Sequence, residues 1–97
     1  SPKLLNKNLL SFVEIKLDST GSDIFDRFKE AVSRVPEIME CHMVAGGYDY
    51  LLKVRCADMD EYRLLLSNKI NQLPGVRETN TYTVMEEVKN SGMLPIT

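Results

Sequence analysis

The sequence predicts an α+β fold in which four strands and two helices follow one another in the order βαββαβ. Three observations predict it: alternating stretches of β-forming residues, two stretches with apolar residues at helical spacing, and an internal echo. In the echo, residues 35–41 (VPEIMEC) and 73–79 (LPGVRET) both read as a helix end at proline followed by a strand. Two βαβ halves of this kind build a ferredoxin-like sandwich, a four-stranded antiparallel sheet with two helices on one face.

The first predicted strand covers residues 9–17, where β-forming residues alternate between two faces. The two sets are Ser11, Val13, Ile15 and Leu17 on one face and Leu10, Phe12, Glu14 and Lys16 on the other. Residues 18–22 are typical of a turn and helix cap, and apolar residues then recur at helical spacing until Pro36. The members of this helical face are Ile24, Phe28, Ala31, Val32 and Val35.

The remaining strands and the second helix are predicted from glycine positions, helix-cap residues and the alternation of residues along each strand. Residues 39–44 and 48–56 predict two strands joined as a hairpin through residues 45–47 (AGG). Asp58 and Glu61 resemble a capping box, which opens a second helix that ends before Pro74. The apolar face of that helix consists of Tyr62, Leu65, Leu66, Ile70 and Leu73. Residues 76–84 predict the last strand, with Thr79, Thr81 and Thr83 opposite Asn80, Tyr82 and Val84, and residues 86–97 predict a less regular tail.

Helices on one face leave the other face of the predicted sheet bare. This face is expected to carry Phe12, Asp49 and Leu51. Because an exposed apolar sheet usually marks an interface, we expect a symmetric dimer in which two bare faces meet.

The length and composition of the chain exclude several classes of protein. A chain of 97 residues with 43% hydrophobic residues is one domain, and its net charge of −2 makes this segment a poor candidate for nucleic-acid contact. No apolar run is long enough to span a membrane and no signal peptide is visible, so a soluble, cytoplasmic protein without membrane contact is expected. Cys41 and Cys56 are expected to be buried, reduced thiols.

Catalytic and cofactor chemistry have little support. His42 is the one histidine and is expected on a strand surface or interface, and the adjacent Glu86 and Glu87 are typical of solvated charge. Neither a phosphate-binding loop nor metal-ligand spacing is present, so no cofactor or metal is predicted. Four of the five methionines either fill the core or line an adaptable pocket; these are Met39, Met43, Met59 and Met85.

Residues 45–52 (AGGYDYLL) place one carboxylate, Asp49, between two tyrosines where a glycine turn enters an apolar strand. Gly46 and Gly47 can expose backbone N–H groups that suit a carboxylate, so this motif could hold a zwitterion. The alternative is an ordinary hairpin turn in which Asp49 is only solvated.

Taken together, four segments resemble the Lrp/AsnC (leucine-responsive, or feast/famine) transcriptional regulators: residues 40–53 (ECHMVAGGYDYLLK), 58–62 (DMDEY), 73–76 (LPGV) and 79–86 (TNTYTVME). The match covers nearly the whole chain as the C-terminal effector-binding domain. The resemblance implies that residues 1–8 connect to an N-terminal helix-turn-helix domain that this chain lacks, and that residues 9–97 sense an amino acid and oligomerise. It further implies dimers that assemble into octamers or similar rings, with DNA contacted only through the missing domain.

The resemblance also implies a site between subunits, near the glycine loop and the last strand, for an amino-acid effector such as leucine or methionine. Loop amides would bind its carboxylate, and Asp49 or a carbonyl would bind its ammonium group. The implied effector-binding residues are Met43, Gly46, Gly47, Tyr48, Asp49, Met59, Thr81, Tyr82, Thr83 and Val84.

Two alternative functions stay open from the sequence. One is a small dimeric ferredoxin-like enzyme, such as a cofactor-free monooxygenase, although the lack of Trp and of clustered His side chains argues against it. The other is a stand-alone sensing domain without DNA binding, which only the residues upstream of Ser1 in the native gene can separate from a regulator.

Overall fold

A computed structural model of the chain describes residues 7–18 and 21–90, and these residues form the predicted βαββαβ order. The strands are β1 (Leu9–Leu17), β2 (Ile38–Met43), β3 (Tyr50–Cys56) and β4 (Val76–Thr83). The helices are α1 (Ser22–Ser33) and α2 (Met59–Asn68), and a short 3-10 helix (Ile70–Gln72) follows α2.

The strands form one antiparallel sheet in the order β2-β3-β1-β4. This order places β1 at the centre, where Val13 pairs with Leu52 of β3 on one side and with Thr81 of β4 on the other. The strand β2 lies at one edge and β4 at the other. The predicted fold class, an α+β ferredoxin-like sandwich, is therefore confirmed.

The core lies between the helices and one face of the sheet. Val13 and Ile15 of β1 are fully buried, as predicted from their alternation, and they share this face with Leu52 and Val54 of β3. From α1, Phe28 stacks on Tyr50 with ring centroids 4.4 Å apart. A stacked aromatic pair of this kind stabilises a fold beyond its burial alone.

The predicted cap of α2 is confirmed, and one part of it serves another purpose. Asp58 accepts a hydrogen bond from the backbone N–H of Glu61 through its carboxylate, at 2.9 Å. The Glu61 carboxylate, which a capping box would direct back to residue 58, binds the Lys7 ammonium group instead, at 2.6 Å. This ion pair ties the start of α2 to the segment that precedes β1.

The hairpin between β2 and β3 is longer than predicted. The connection runs through residues 44–49, so β3 begins at Tyr50 instead of at residue 48, and β2 ends at Met43. The backbone N–H of Val44 donates to the carbonyl of Asp49 at 3.0 Å, which joins the two ends of this connection. Tyr48 and Asp49 therefore belong to the loop.

The second face of the sheet, here called the open face, is not covered by α1 or α2. Phe12 and Leu51 lie on it and are partly exposed, as predicted. Asp49 was expected on this face too, and that expectation is corrected: Asp49 precedes β3, and its carboxylate binds the backbone of β1.

Residues 84–90 lie against part of the open face. Glu87 anchors this segment, because its carboxylate contacts the Arg55 guanidinium at 3.1 Å and the Asn90 side chain at 2.7 Å. The hydrogen bonds from Asn90 and then Arg55 lower the pKa of Glu87. A cavity of about 510 Å³ lies between the segment and Phe12. Residues 91–97, the rest of the predicted tail, lie outside the described residues.

Both cysteines are free thiols, and only Cys56 is buried; Cys41 is half-buried, which corrects the expectation that both are buried. Burial raises the pKa of Cys56 to about 11 and also raises that of Cys41. At neutral pH both are thus uncharged and poorly nucleophilic.

Within residues 7–18 and 21–90, no helix is long and apolar enough to cross a membrane.

Gly75 is required by the backbone, and its replacement by alanine should destabilise the domain. It has a φ of +75°, and an added Cβ would lie 2.7 Å from Cγ1 of Ile24. We expect Gly75→Ala to lower the free energy of unfolding by about 1–3 kcal/mol in urea denaturation. The matched control is Gly47→Ala, where nothing lies within 4 Å of an added Cβ. Equal stability of the two variants would show that this turn is not strained.

Candidate ligand-binding site

The first set of predicted site residues lies at one corner of the sheet and is called the loop group: Met43, Gly46, Gly47, Tyr48 and Asp49. Gly46 has a φ of +156° and Gly47 an ordinary φ, and an added Cβ at either position would meet open space. The side chain of Met43, at the end of β2, is largely exposed. This corner therefore offers accessible backbone and an apolar side chain next to a carboxylate.

Asp49 has a structural role that the sequence did not indicate. Its Oδ2 accepts a hydrogen bond from the backbone N–H of Leu17 at 2.8 Å, and its own N–H donates to the carbonyl of Ile15 at 2.9 Å. The pairing of β1 with β3 ends at Ile15 and Tyr50, so Leu17 lies beyond the reach of the β3 backbone. A backbone N–H at a strand end needs an acceptor, and the Asp49 carboxylate supplies the one that β3 does not provide to Leu17. Its second oxygen can still accept from a ligand.

The remaining predicted residues lie along β4 and the start of α2 and are called the strand group: Met59, Thr81, Tyr82, Thr83 and Val84. Three of them meet on the helix-covered side of the sheet. Thr83 donates its hydroxyl proton to the sulfur of Met59 at 3.7 Å, and the hydroxyl of Thr81 is hydrogen-bonded to that of Tyr62 in α2.

The other two members of the strand group are placed differently. Tyr82 points to the open face, where its side chain is 55% exposed and its hydroxyl donates to Glu14 at 3.5 Å. Val84 follows β4 and donates its backbone N–H to the carbonyl of Leu10 at 2.9 Å. A single ligand beside Thr81 therefore does not meet Tyr82 of the same chain.

Two buried residues that support the strand group are absent from the predicted site. Ser11 is 1% exposed and its hydroxyl lies 3.4 Å from that of Thr83, while Tyr62 is 2% exposed and contacts Thr81. A signal for Ser11 is present in the sequence, since it is the polar member of the buried face of β1. Tyr62 occupies a core position of α2 in the helical pattern, and that pattern carries no information on where its hydroxyl points.

The loop group and the strand group are far apart in one chain. The loop group lies at the Leu17 end of β1, and the strand group lies at the Ser11 end. The nearest members lie closer than these ends: Asp49 is hydrogen-bonded to Ile15 and Thr81 pairs with Val13, about 7 Å apart along β1, and the two strand spacings from β4 across β1 to β3 add about 10 Å. The two groups also lie toward opposite edges of the sheet, because β2 and β4 are the edge strands. A free amino acid is too short to contact both groups of one chain.

His42 and the nearby charges on β2 and β3 form a surface cluster. The Glu40 carboxylate contacts the exposed His42 ring at 3.1 Å and the Lys53 ammonium at 3.5 Å. The hydrogen bond from His42 and the charge of Lys53 lower the pKa of Glu40. Among the described residues, no three His, Cys, Asp or Glu side chains are grouped so that they could hold a metal ion.

Comparison with known proteins identifies the family of this chain. The family model described as the Lrp/AsnC ligand binding domain matches residues 10–94. The chain belongs to the Lrp/AsnC family. It is 51% identical over 96 residues to the leucine-responsive regulatory protein of Klebsiella pneumoniae, and equally to that of Escherichia coli. These relatives are named as regulators, which agrees with the expectation that the chain is not an enzyme.

Solved structures of Lrp/AsnC regulators share the fold over nearly the whole chain. A transcriptional regulator from Neisseria meningitidis, in complex with L-methionine, superposes with a TM-score of 0.85 at 26% identity, covering 98% of this chain and 61% of its own. An AsnC family regulator from Agrobacterium tumefaciens gives 0.85 at 30% identity, with the same coverage of both chains. The match to the Klebsiella relative likewise spans 99% of this chain but only 58% of the length of that relative.

Two substitutions at Asp49 distinguish its structural hydrogen bond to Leu17 from a role of its charge in ligand binding. Asp49→Ala removes the acceptor for the Leu17 N–H, and we expect the free energy of unfolding to fall by about 1 kcal/mol or more in urea. Asp49→Asn keeps an acceptor oxygen and should lose less. If the charge binds a ligand ammonium group, Asp49→Asn should abolish ligand binding in calorimetry while the domain stays folded. Binding retained by a folded Asp49→Asn would assign Asp49 to structure alone.

Proposed function

We propose that this chain is the effector-binding and oligomerisation domain of a transcriptional regulator, and that it binds an amino acid between subunits. The observation that carries the proposal is the separation of the loop group from the strand group within one chain. A second copy can bring Met59, Thr81 and Thr83 of its strand group to the loop group of the first, and these residues then surround one ligand. The methionine complex of the Neisseria relative supports an amino acid as that ligand.

The chemistry of the two groups fits a zwitterion with an apolar side chain. The exposed backbone at Gly46 and Gly47 suits a carboxylate, and the second oxygen of Asp49 suits an ammonium group. Exposed methionines lie in both groups, and Met43 and Met59 offer flexible apolar contact to a side chain such as that of leucine or methionine. The same pattern of apolar lining with a few polar contacts is usual for small-molecule sites.

The open face supplies a surface for assembly. It carries Phe12 and Leu51 without a covering helix, and the neighbouring Tyr82 and Val88 are largely exposed. Two copies that pair these faces form a symmetric dimer, and further contacts build an octamer or a similar ring. A ligand that bridges subunits then favours one assembly over another by linkage, and a DNA-binding segment outside this chain transmits the change to DNA.

A screen of amino acids for thermal stabilisation tests the proposal. At a concentration of about 100 times Kd, a single ligand stabilises the folded state by roughly 2.7 kcal/mol, which raises the Tm of a domain this size by several degrees. We expect leucine, methionine or a similar apolar amino acid to produce this shift, and aspartate or lysine to produce none.

Sedimentation measures assembly in the same samples. An oligomer whose size or stability changes with the active amino acid agrees with a site between subunits. A monomer that nonetheless binds an amino acid tightly would contradict the proposal, as would a panel of amino acids that leaves the Tm unchanged.

A further inference from the structure

Two buried tyrosines differ in whether their hydroxyl groups form a hydrogen bond. Tyr50 and Tyr62 are each 2% exposed. Tyr62 forms a hydrogen bond to Thr81, whereas the Tyr50 hydroxyl has no hydrogen-bond partner among the described residues. Of the two, Tyr62 is therefore the tyrosine whose hydroxyl is held by a side chain of β4.

The direction of the bond between Tyr62 and Thr81 follows from burial. Burial raises the pKa of Tyr62, so its phenol stays protonated and has one proton to donate. Thr81 holds the one acceptor that this proton reaches among the residues described, because no other hydrogen bond of the Tyr62 hydroxyl is present there. A buried hydroxyl proton is rarely left without an acceptor, so Tyr62 is the donor and the Thr81 oxygen accepts.

With Tyr62 as the donor, the hydroxyl proton of Thr81 is available for another acceptor. Thr83 differs in this respect. The Thr83 proton is directed to the sulfur of Met59, and its oxygen lies 3.4 Å from the buried Ser11 hydroxyl. Thr81 is only half-buried, so a molecule next to β4 can reach its hydroxyl. Of the two threonines, Thr81 is thus the one presented as a free donor.

We propose that Tyr62 is a positioning residue that holds Thr81 as a hydrogen-bond donor to the carboxylate of the bound amino acid. The inference rests on the proposed function and assigns residues within its site. An ammonium group carries donors only and cannot accept the Thr81 proton, whereas a carboxylate accepts through both oxygens. One oxygen can therefore bind Thr81 of one subunit while the other binds the loop group of the next, by charge-assisted hydrogen bonds.

The test compares L-methionine with L-methioninol, which lacks the carboxylate, as calorimetric ligands of the intact protein. Thr81→Val should weaken methionine binding about 10-fold or more, because a hydrogen bond to a charged group is lost. Tyr62→Phe keeps the ring and should weaken it less, by about 3-fold to 10-fold. Both variants should change the affinity for methioninol less than that for methionine, because its hydroxyl is only a neutral acceptor.

Three controls isolate the role of Tyr62. Tyr50→Phe removes a buried hydroxyl without a described partner and should leave methionine binding unchanged. Thr81→Ser keeps the hydroxyl and should retain most of the affinity. In the Thr81→Val background, adding Tyr62→Phe should cause no further loss, since a positioning residue acts only through the group that it positions.

Several results would overturn the inference. Equal weakening of methionine and methioninol by Tyr62→Phe would mean that the hydroxyl serves packing alone. Unchanged methionine binding in Thr81→Val would assign the Thr81 proton to another acceptor, such as a carbonyl of a second copy, and sedimentation of that variant would then change. If the wild type binds methionine and the variants bind it equally well, the inference fails and the proposed function stands. If the wild type binds no amino acid, both fail.

Discussion

The helices of this domain cover one face of its sheet and leave the other face open, and the rest of the structure depends on that asymmetry. Val13 and Ile15 direct β1 into the core, while Phe12, one position away, lies on the open face beside residues 84–90. Burial of the first face stabilises the single chain. The apolar residues of the second face that residues 84–90 leave exposed, by contrast, gain further burial only in contact with another molecule, so the same strand serves folding and assembly.

The hydrogen bond between Asp49 and Leu17 connects the candidate site to this sheet. It replaces a strand partner at the end of β1, and it also fixes the only carboxylate of the loop group at a defined position. A side chain that is held by the backbone has little conformational entropy left to lose when it binds a ligand. The structural contact and a ligand contact of Asp49 are therefore compatible, because they use different oxygens.

Most of the fold was predictable, because it depends on local patterns. The predicted and observed bounds of β1 agree at residues 9–17, since both of its faces carry the alternation, and Asp58 caps α2 as its spacing to Glu61 indicated. The start of β3 was predicted two residues too early, because no local pattern shows that Asp49 leaves the strand to bind β1. The site was predicted as a set of residues through family resemblance. Its division into two distant groups depends on strand order and length, and the contact between Tyr62 and Thr81 joins separate elements, so neither follows from sequence periodicity.

The central claim is that one site needs the loop group of one subunit and the strand group of another, and mixing subunits tests it most directly. Asp49→Asn and Thr81→Val subunits are each expected to bind methionine poorly when alone. If they are unfolded, combined in equal amounts and reassembled, random pairing unites two intact groups in about one quarter of the sites. The account predicts that calorimetry recovers about that fraction of sites with wild-type affinity. Recovery of no wild-type sites, with mixed assembly verified by mass spectrometry, would show that each site lies within a single chain and would contradict the account.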